Sequence, residues 1–247
     1  MKLTAAQLDR ACGVLLGSAA EDALGAGYEF TFPASDLLPV MKGGGLGGFA
    51  PGEWTDDTDQ AVAIAMVAAD GLDLRSAAAL DRIAAGLLDW YAAGPADVGI
   101  QTRSVLMRAV KAPTGAAMVQ AAREVHEQHG RSAGNGSLMR TGPVALAYLG
   151  DPAGLVEAAM SVSSLTHYQD HAQEACAVWC LMIRHAVLTG DSRLSPTSRT
   201  GFPTVPSGGR SLTRPRPASP ELSPTTRGPS VLCRPCGRHQ AHRWSGR

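Results

Sequence analysis

The chain has 247 residues, of which 45% are hydrophobic, and its 22 basic and 22 acidic residues give a formal net charge of zero. A chain of this length can bury a substantial core as one large or two small domains. It has no apolar run near the ~20 residues of a membrane span and no secretory signal, and its cysteines do not require an oxidising compartment. We therefore expect a cytoplasmic globular protein with no membrane partner.

The apolar periodicity predicts helices and no strand. Thr4 and Gln7 form a capping-box pattern that opens a first helix reaching about Ala20. A second helix begins in an acidic cluster and stops at Gly71. Further helices are predicted over residues 76–91, 101–110, 116–128, 138–148 and 169–188, and one more begins at Asp151-Pro152. We predict an all-α fold, a compact multi-helix domain over residues 1–190.

Three cysteines lie inside the predicted helices. Cys12, Cys176 and Cys180 each have apolar neighbours at helical spacing. Unpaired cysteine is among the residues most often buried in proteins. We therefore predict that all three are small core residues.

The composition changes abruptly after Gly190. Residues 1–190 contain 20 acidic and 12 basic residues, whereas residues 191–247 contain 2 acidic residues, ten Arg, nine Pro and nine Ser. Such a segment cannot bury enough apolar surface to offset the entropy of ordering it, so we predict a disordered tail. Its origin stays open between a genuine Arg/Pro/Ser tail and a frameshifted product of a GC-rich gene. The tail has no interleaved aromatic residues or known module, so we do not expect a nucleic-acid partner.

An acidic cluster stands immediately before the second helix. Thr55, Asp56, Asp57, Thr58 and Asp59 place three carboxyl and two hydroxyl groups at consecutive positions. One or two acids would suffice to cap the helix and complement its dipole. A bound cation would relieve the repulsion among three, and oxygen donors favour Mg²⁺, Mn²⁺ or Ca²⁺ over zinc. We favour the cation site and keep the acidic cap as the alternative.

Three other positions have residue types suited to binding or catalysis. Glu29 follows a Gly-rich turn between two aromatic residues, where partial burial would raise its pKa and suit proton transfer. The segment Gly134–Arg140 places small residues and a hydroxyl at a predicted helix start, where backbone N–H groups could hold a phosphate; a turn with an N-cap fits equally well. His167 precedes the last long helix, as a structural hydrogen-bonding residue or as a ligand.

Taken in order, these segments resemble the ADP-ribosylglycohydrolase family, which includes the dinitrogenase reductase-activating glycohydrolases. The resemblance covers about residues 10–190, and its strength lies in the order and spacing of the motifs. The matching segments are Gly13–Gly25, Glu29, Gly52–Thr58, Asp97–Gly99, Gly134–Arg140 and Thr166-His167.

The resemblance implies an all-helical domain with two divalent cations, Mg²⁺ or alternatively Mn²⁺, in a cleft. It implies hydrolysis of the glycosidic bond between ADP-ribose and a modified protein side chain or a small ADP-ribosyl substrate. The implied residues are Thr55, Asp56 and Asp57 as metal ligands, Glu29, Asp57 and Asp97 as the catalytic group, and Asn135, Gly136, Ser137 and His167 as substrate contacts.

One part of the family pattern has no counterpart in this sequence. The family has a second acidic motif near its carboxyl end that completes the metal shell, and nothing after Asp170 resembles it. We therefore expect a C-terminally incomplete domain, weakened binding of the two cations and an inactive or impaired enzyme. Two alternatives stay open, a non-catalytic ADP-ribose-binding module and a helical interaction protein without a ligand.

Overall fold

The computed structural model describes residues 1–192, all of which belong to one compact unit. Apart from its first two residues, the predicted tail lies outside the described residues. The predicted disorder of that tail and its possible frameshifted origin therefore remain predictions.

Eight α-helices form the regular structure of residues 1–192, which contain no strand and one isolated antiparallel bridge between Gly44 and Phe49. None of these helices is both long and apolar enough to cross a membrane. The all-α prediction is confirmed. In chain order the helices are α1 (Ala5–Gly25), α2 (Asp56–Ala69), α3 (Ala77–Ala92), α4 (Ile100–Ala109), α5 (Gly115–His129), α6 (Gly142–Ala147), α7 (Pro152–Ser164) and α8 (Asp170–Thr189).

The helix starts follow the capping signals in the sequence. The Thr4 hydroxyl accepts a hydrogen bond from the Gln7 backbone N–H, and the Gln7 side chain accepts one from the Thr4 backbone N–H. This capping box opens α1 as predicted. Asp151 caps α7 by accepting a hydrogen bond from Gly154 N–H, with Pro152 as the first helical residue.

Two helix boundaries differ from the prediction. Helix α1 continues to Gly25, five residues beyond the predicted end at Ala20. The helix predicted over 138–148 begins only at Gly142, because residues 136–140 form turns instead. Pro143 explains the second difference, since proline is tolerated in the first turn of a helix and breaks the hydrogen bonds of a helix interior.

The main core lies between α2 and the helices that follow it. Helix α7 packs along α8, α4 packs on α5, and α3 contacts both α2 and α5. Each large apolar side chain that is fully buried contributes about 1.5–3 kcal/mol to folding. Those without exposed surface include Ile64, Leu87, Leu106, Met118 and Leu155.

Helix α1 is poorly covered by the rest of residues 1–192. Only Ala11 and Ala23 of its 21 residues are buried. Its apolar residues Leu8, Leu15 and Leu16 are exposed, and so is Cys12. The prediction of a core position is therefore wrong for Cys12, because no described residue packs over this side of the helix. It is confirmed for Cys176 and Cys180, which are completely buried in α8.

Candidate active site

A single carboxylate on α1 holds the beginning of α2 in place. Asp22 accepts four hydrogen bonds from this region, which come from the backbone N–H and the hydroxyl of Thr55 and from the backbone N–H and the hydroxyl of Thr58. The two hydroxyl contacts are both 2.6 Å, and the two backbone contacts are 2.9 and 3.1 Å. Asp22 therefore ties the two helices together at the acidic cluster.

The cap of α2 comes from this distant residue and not from the cluster itself. Thr55 is the N-cap residue, but its side chain makes no capping hydrogen bond, because its hydroxyl donates to Asp22. The Asp22 carboxylate satisfies free N–H groups at the positive end of the helix, which stabilises the helix start. The carboxyl groups of Asp56 and Asp57 are consequently not needed for capping.

Asp56 and Asp57 are half-buried and electrostatically crowded. Burial, together with the charges of Asp57, Asp97, Glu29 and Asp22, raises the pKa of Asp56 to about 7. Burial, with the charges of Asp22 and Glu29, raises the pKa of Asp57 to about 6. The structure thus brings the predicted acids Glu29, Asp56, Asp57 and Asp97 within electrostatic reach of one another.

Asp59 has a different role from its two acidic neighbours. Its carboxylate oxygens accept hydrogen bonds from the indole N–H groups of Trp54, at 2.9 Å, and Trp90, at 3.1 Å. Because each oxygen has a neutral donor from the protein, Asp59 joins α2 to α3. The third acid of the cluster is therefore a structural residue.

Glu29 lies in the turn that follows α1. Its side chain is exposed on the wall of the cavity described below, and burial, followed by the charges of Asp97 and Asp22, raises its pKa. The next residue, Phe30, has φ 57°, in the left-handed region that is strained for a residue with a side chain. Such strain is found most often at functional sites.

The donors around Asp56 and Asp57 suit a hard cation but do not form a closed metal shell. Thr55, Asp56 and Asp57 offer oxygen atoms alone, as Mg²⁺ and Mn²⁺ prefer. Burial, followed by the repulsion of neighbouring carboxylates, raises the pKa of both carboxyl groups, and a cation would relieve that repulsion. Within residues 1–192, no three His, Cys, Asp or Glu side chains are close enough together to hold a metal ion. The cluster therefore supplies a partial ligand set.

A cavity of about 840 Å³ opens between α1, the start of α2 and α8. This volume lies in the range typical of sites for small molecules and cofactors. Its polar wall includes Glu29, Thr55, Asp57 and Asn135, and its apolar wall includes Leu15, Met139 and Trp179. The cavity thus combines a charged end with an apolar surface of the kind that takes up a planar or hydrophobic group.

The Gly134–Arg140 segment contributes to the cavity through a turn. Asn135 is exposed on the cavity wall, whereas Gly136 packs against the ring of His167. Ser137 is buried, and its hydroxyl accepts a hydrogen bond from the Ser163 hydroxyl and lies 3.4 Å from the Cys176 sulfur. The structure therefore turns the Ser137 hydroxyl away from the cavity. The expected helix start at this segment is wrong, because α6 begins later.

His167 lies behind this turn and not on the cavity wall. It is 1% exposed, and its Nδ1 is 2.8 Å from the Thr166 hydroxyl. Burial, together with the positive charge of Arg140, lowers the pKa of His167 to about 3. The imidazole is therefore neutral at physiological pH, and it supports the turn from the protein side.

Four residues of this region were not predicted as site residues, namely Asp22, Gln60, Arg140 and Thr166. Asp22, Arg140 and Thr166 fall inside the recognised motifs, but the sequence does not indicate what they contact. Asp22 meets its partners across 33 and 36 residues, and Arg140 meets Gln60 across 80 residues. The one available signal in the sequence was an arginine within a segment of small residues, because an arginine that becomes buried requires partners.

Comparison with known proteins identifies relatives of the whole described region. A family model described as ADP-ribosylglycohydrolase matches residues 3–219. An ADP-ribosyl-[dinitrogen reductase] glycohydrolase from Rhodospirillum rubrum is 32% identical over 186 residues, which are 72% of this chain and 58% of the relative. The ADP-ribosylarginine hydrolase Tri1 from Pseudomonas putida is 32% identical over 205 residues, which are 78% of this chain and 51% of the relative.

A solved structure shows the same fold. A chain of an ADP-ribosylglycohydrolase-related protein complex superposes with a TM-score of 0.57 at 34% identity, covering 73% of this chain and 57% of that chain. The present chain therefore spans little more than half the length of these three proteins.

The hydrogen bonds of Asp22 predict a large effect of its removal on stability. We expect Asp22→Ala to lower the free energy of unfolding by about 1–3 kcal/mol, because buried donors at Thr55 and Thr58 lose their acceptor. The control is Glu21→Gln, which removes the neighbouring exposed acid of α1 that makes no hydrogen bond among the described residues. Urea unfolding at pH 7 measures both variants. Equal stability of the two would contradict the assigned role of Asp22.

The lowered pKa of His167 predicts a specific pH dependence of stability. Between its ordinary pKa of 6.5 and about 3, the unfolded chain binds a proton that the folded protein does not, so stability falls as the pH falls through this range. We expect His167→Gln to reduce the stability lost between pH 6.5 and pH 4 by up to about 3 kcal/mol. The exposed α5 residue provides the control variant His129→Gln, which should keep the wild-type pH dependence. If the free energy of unfolding changes with pH in the same way in the wild type and both variants, the pKa of His167 is not lowered.

Proposed function

The chain belongs to the ADP-ribosylglycohydrolase family, and on this basis we propose that it hydrolyses the glycosidic bond of ADP-ribosylated substrates. The observation that carries the proposal is the cavity that Glu29, Thr55, Asp57 and Asn135 line together. The Rhodospirillum and Pseudomonas relatives are named for ADP-ribosyl substrates. ADP-ribosylarginine in a protein, or a small molecule with the same linkage, is the substrate class that we propose.

The acidic wall suits the charge that develops during this reaction. Cleavage of a glycosidic bond passes through an oxocarbenium-like state in which the sugar ring becomes positive. The carboxylate of Asp57 faces the cavity and would stabilise that charge more than the neutral ground state. Asp97 adds negative potential at Glu29 and Asp56.

Glu29 is the residue that we assign to proton transfer. Its raised pKa brings the carboxyl group closer to the operating pH, where an acid can both give and take a proton. Its exposed position on the cavity wall allows it to reach either the leaving group or a water molecule.

Other residues that line the cavity would hold the remainder of ADP-ribose. The Asn135 side chain and the backbone of the turn at Gly136 and Ser137 offer N–H donors for the diphosphate. The apolar surface formed by Met139 and Trp179 would receive a planar base. His167 would affect substrate binding by supporting this turn from the protein side, since it does not line the cavity.

The residues that would hold divalent cations are Thr55, Asp56 and Asp57. Mg²⁺, or Mn²⁺ in its place, would supply neutralisation of the diphosphate charge and orientation of the ribose hydroxyls and of water when bound. Without positive charge, the acidic wall would repel the anionic substrate. A cytoplasmic location is part of the same proposal, since the three cysteines among residues 1–192 are unpaired.

Release of ADP-ribose from ADP-ribosylarginine peptide tests the proposed activity. We expect Asp57→Asn and Glu29→Gln each to lower kcat/KM by about 10²–10⁴-fold, because each removes a carboxylate from the reacting end of the cavity. Asp70→Asn provides the control, since Asp70 is an exposed acid at the opposite end of α2 that pairs with Arg82. If the protein binds ADP-ribose but releases none from the peptide, it is a binding module and not a hydrolase.

Thermal unfolding tests the proposed cation site. In the wild type we expect Mg²⁺ at 100 times its dissociation constant to add about 2.7 kcal/mol of stability. The double variant Asp56→Asn/Asp57→Asn should melt higher than the wild type without Mg²⁺, because two half-buried carboxylates and their repulsion are gone, and should not respond to Mg²⁺. The hypothesis of a cation at this cluster fails if both proteins show the same Mg²⁺ response.

A further inference from the structure

The positively charged side chain of Arg140 is fully buried, and the chemistry proposed above gives it no role. Arg140 has no exposed surface, and no ion pair with a carboxylate reaches its guanidinium among the described residues. Burial without an ion pair is costly for a charge, and it lowers the pKa of Arg140 to about 10. Packing alone therefore does not explain an arginine at this position.

The guanidinium connects the acidic cluster to the segment before α8. One of its terminal nitrogens donates to the side-chain oxygen of Gln60 at 2.7 Å, and the Gln60 amide nitrogen donates to Asp56 at 3.0 Å. Gln60 is completely buried, and this arrangement fixes which end of its amide faces the cation. The positive charge of Arg140 is thus linked to the carboxylate of Asp56 through a single neutral side chain.

The other terminal nitrogen of Arg140 determines the direction of the hydrogen bond between Thr166 and His167. It donates to the hydroxyl oxygen of Thr166 at 2.7 Å. Since a guanidinium can only donate, the hydrogen of the Thr166 hydroxyl is left to be given to another acceptor. The available acceptor is Nδ1 of His167, at 2.8 Å.

This chain of donors determines the tautomer of His167. With Nδ1 as the acceptor, the single hydrogen of the neutral ring must lie on Nε2. A methyl group built on Gly134 or on Gly136 would be 3.5 Å from Nε2, so the nitrogen lies beside the turn that holds Asn135. Nε2 makes no hydrogen bond within residues 1–192, although only 1% of His167 is exposed.

We propose that Arg140 is a positioning residue that sets the Nε2–H tautomer of His167 through Thr166 and so points one neutral N–H donor toward the turn at residues 134–136. The donor would serve an oxygen atom of a ligand, or of a bridging water, held by this turn. That ligand is ADP-ribose if the proposed function holds, and the tautomer assignment itself does not depend on that function.

The tautomer can be measured directly in the full chain labelled with ¹⁵N-histidine. Long-range proton–nitrogen spectra at pH 7.5 distinguish a ring protonated on Nε2 from one protonated on Nδ1, and the signal that disappears in His167→Gln identifies the residue. We expect the wild type to show one tautomer with its hydrogen on Nε2. A ring protonated on Nδ1, or a mixture of both tautomers, would overturn the proposal.

Three variants test the path from Arg140. Arg140→Met and Thr166→Val should each produce a mixture of tautomers, because each removes the group that directs a hydrogen to Nδ1. Thr166→Ser keeps the hydroxyl and should keep the wild-type tautomer. If Arg140→Met does not give the dispersed spectrum of a folded protein, the Thr166 pair decides the result. An unchanged tautomer in Thr166→Val would overturn the proposal, as would an unchanged tautomer in folded Arg140→Met.

Affinity for ADP-ribose provides the second measurement. We expect the dissociation constant from calorimetry to rise about 10-fold in Thr166→Val, as for the loss of one neutral hydrogen bond, and to rise less in Thr166→Ser. Equal weakening by both substitutions would show a packing effect and count against the positioning role. If the wild type does not bind ADP-ribose at all, the proposed function fails while the spectra still decide the role of Arg140.

Discussion

The four hydrogen bonds that Asp22 accepts from Thr55 and Thr58 determine how the cavity is built. They place the end of α1 against the beginning of α2, and both elements contribute to the cavity wall. All four donors converge on the one carboxylate of Asp22. Its negative charge then acts on Asp56 and Asp57, whose pKa values it helps to raise. The same interaction therefore stabilises the fold and makes the acidic cluster electrostatically unfavourable.

Two features of this region oppose stability. One is the repulsion among partly buried carboxyl groups at the start of α2, and the other is the buried guanidinium of Arg140 with no ion pair among the described residues. Natural proteins break the rules of local consistency mainly at functional sites, where other interactions compensate. Here the hydrogen-bonded path from Asp56 through Gln60 and Arg140 to Thr166 connects the two features. The negative charge of Asp56 and the positive charge of Arg140 form no direct ion pair, and the buried side chain of Gln60 links them by hydrogen bonds.

Much of the fold could be predicted because the helices carry local signals. The capping box at Thr4, the Asp151-Pro152 start and the apolar periodicity of α3 and α8 all depend on residues within a few positions. Two predictions that failed have different causes, one distant in the sequence and one local. Cys12 lies in an apolar pattern, yet nothing among residues 1–192 packs over it. The helix expected from residue 138 starts four residues later, because Pro143 must lie in its first turn.

The sequence by itself determined the helical class, the acidic cluster and the family resemblance, because each is written in neighbouring residues or in the order of short motifs. It also identified Glu29, Asp57 and Asn135, which share the wall of one cavity. Only the tertiary structure decided that Asp59 accepts hydrogen bonds from two indoles, that the Ser137 hydroxyl faces the core, and that His167 lies behind the turn. The physical reason is that a polar side chain takes its role from its hydrogen-bond partner. In this protein those partners lie 26 to 80 residues away for Ser137, Thr166 and Arg140, and their pairing exists only once the helices have packed.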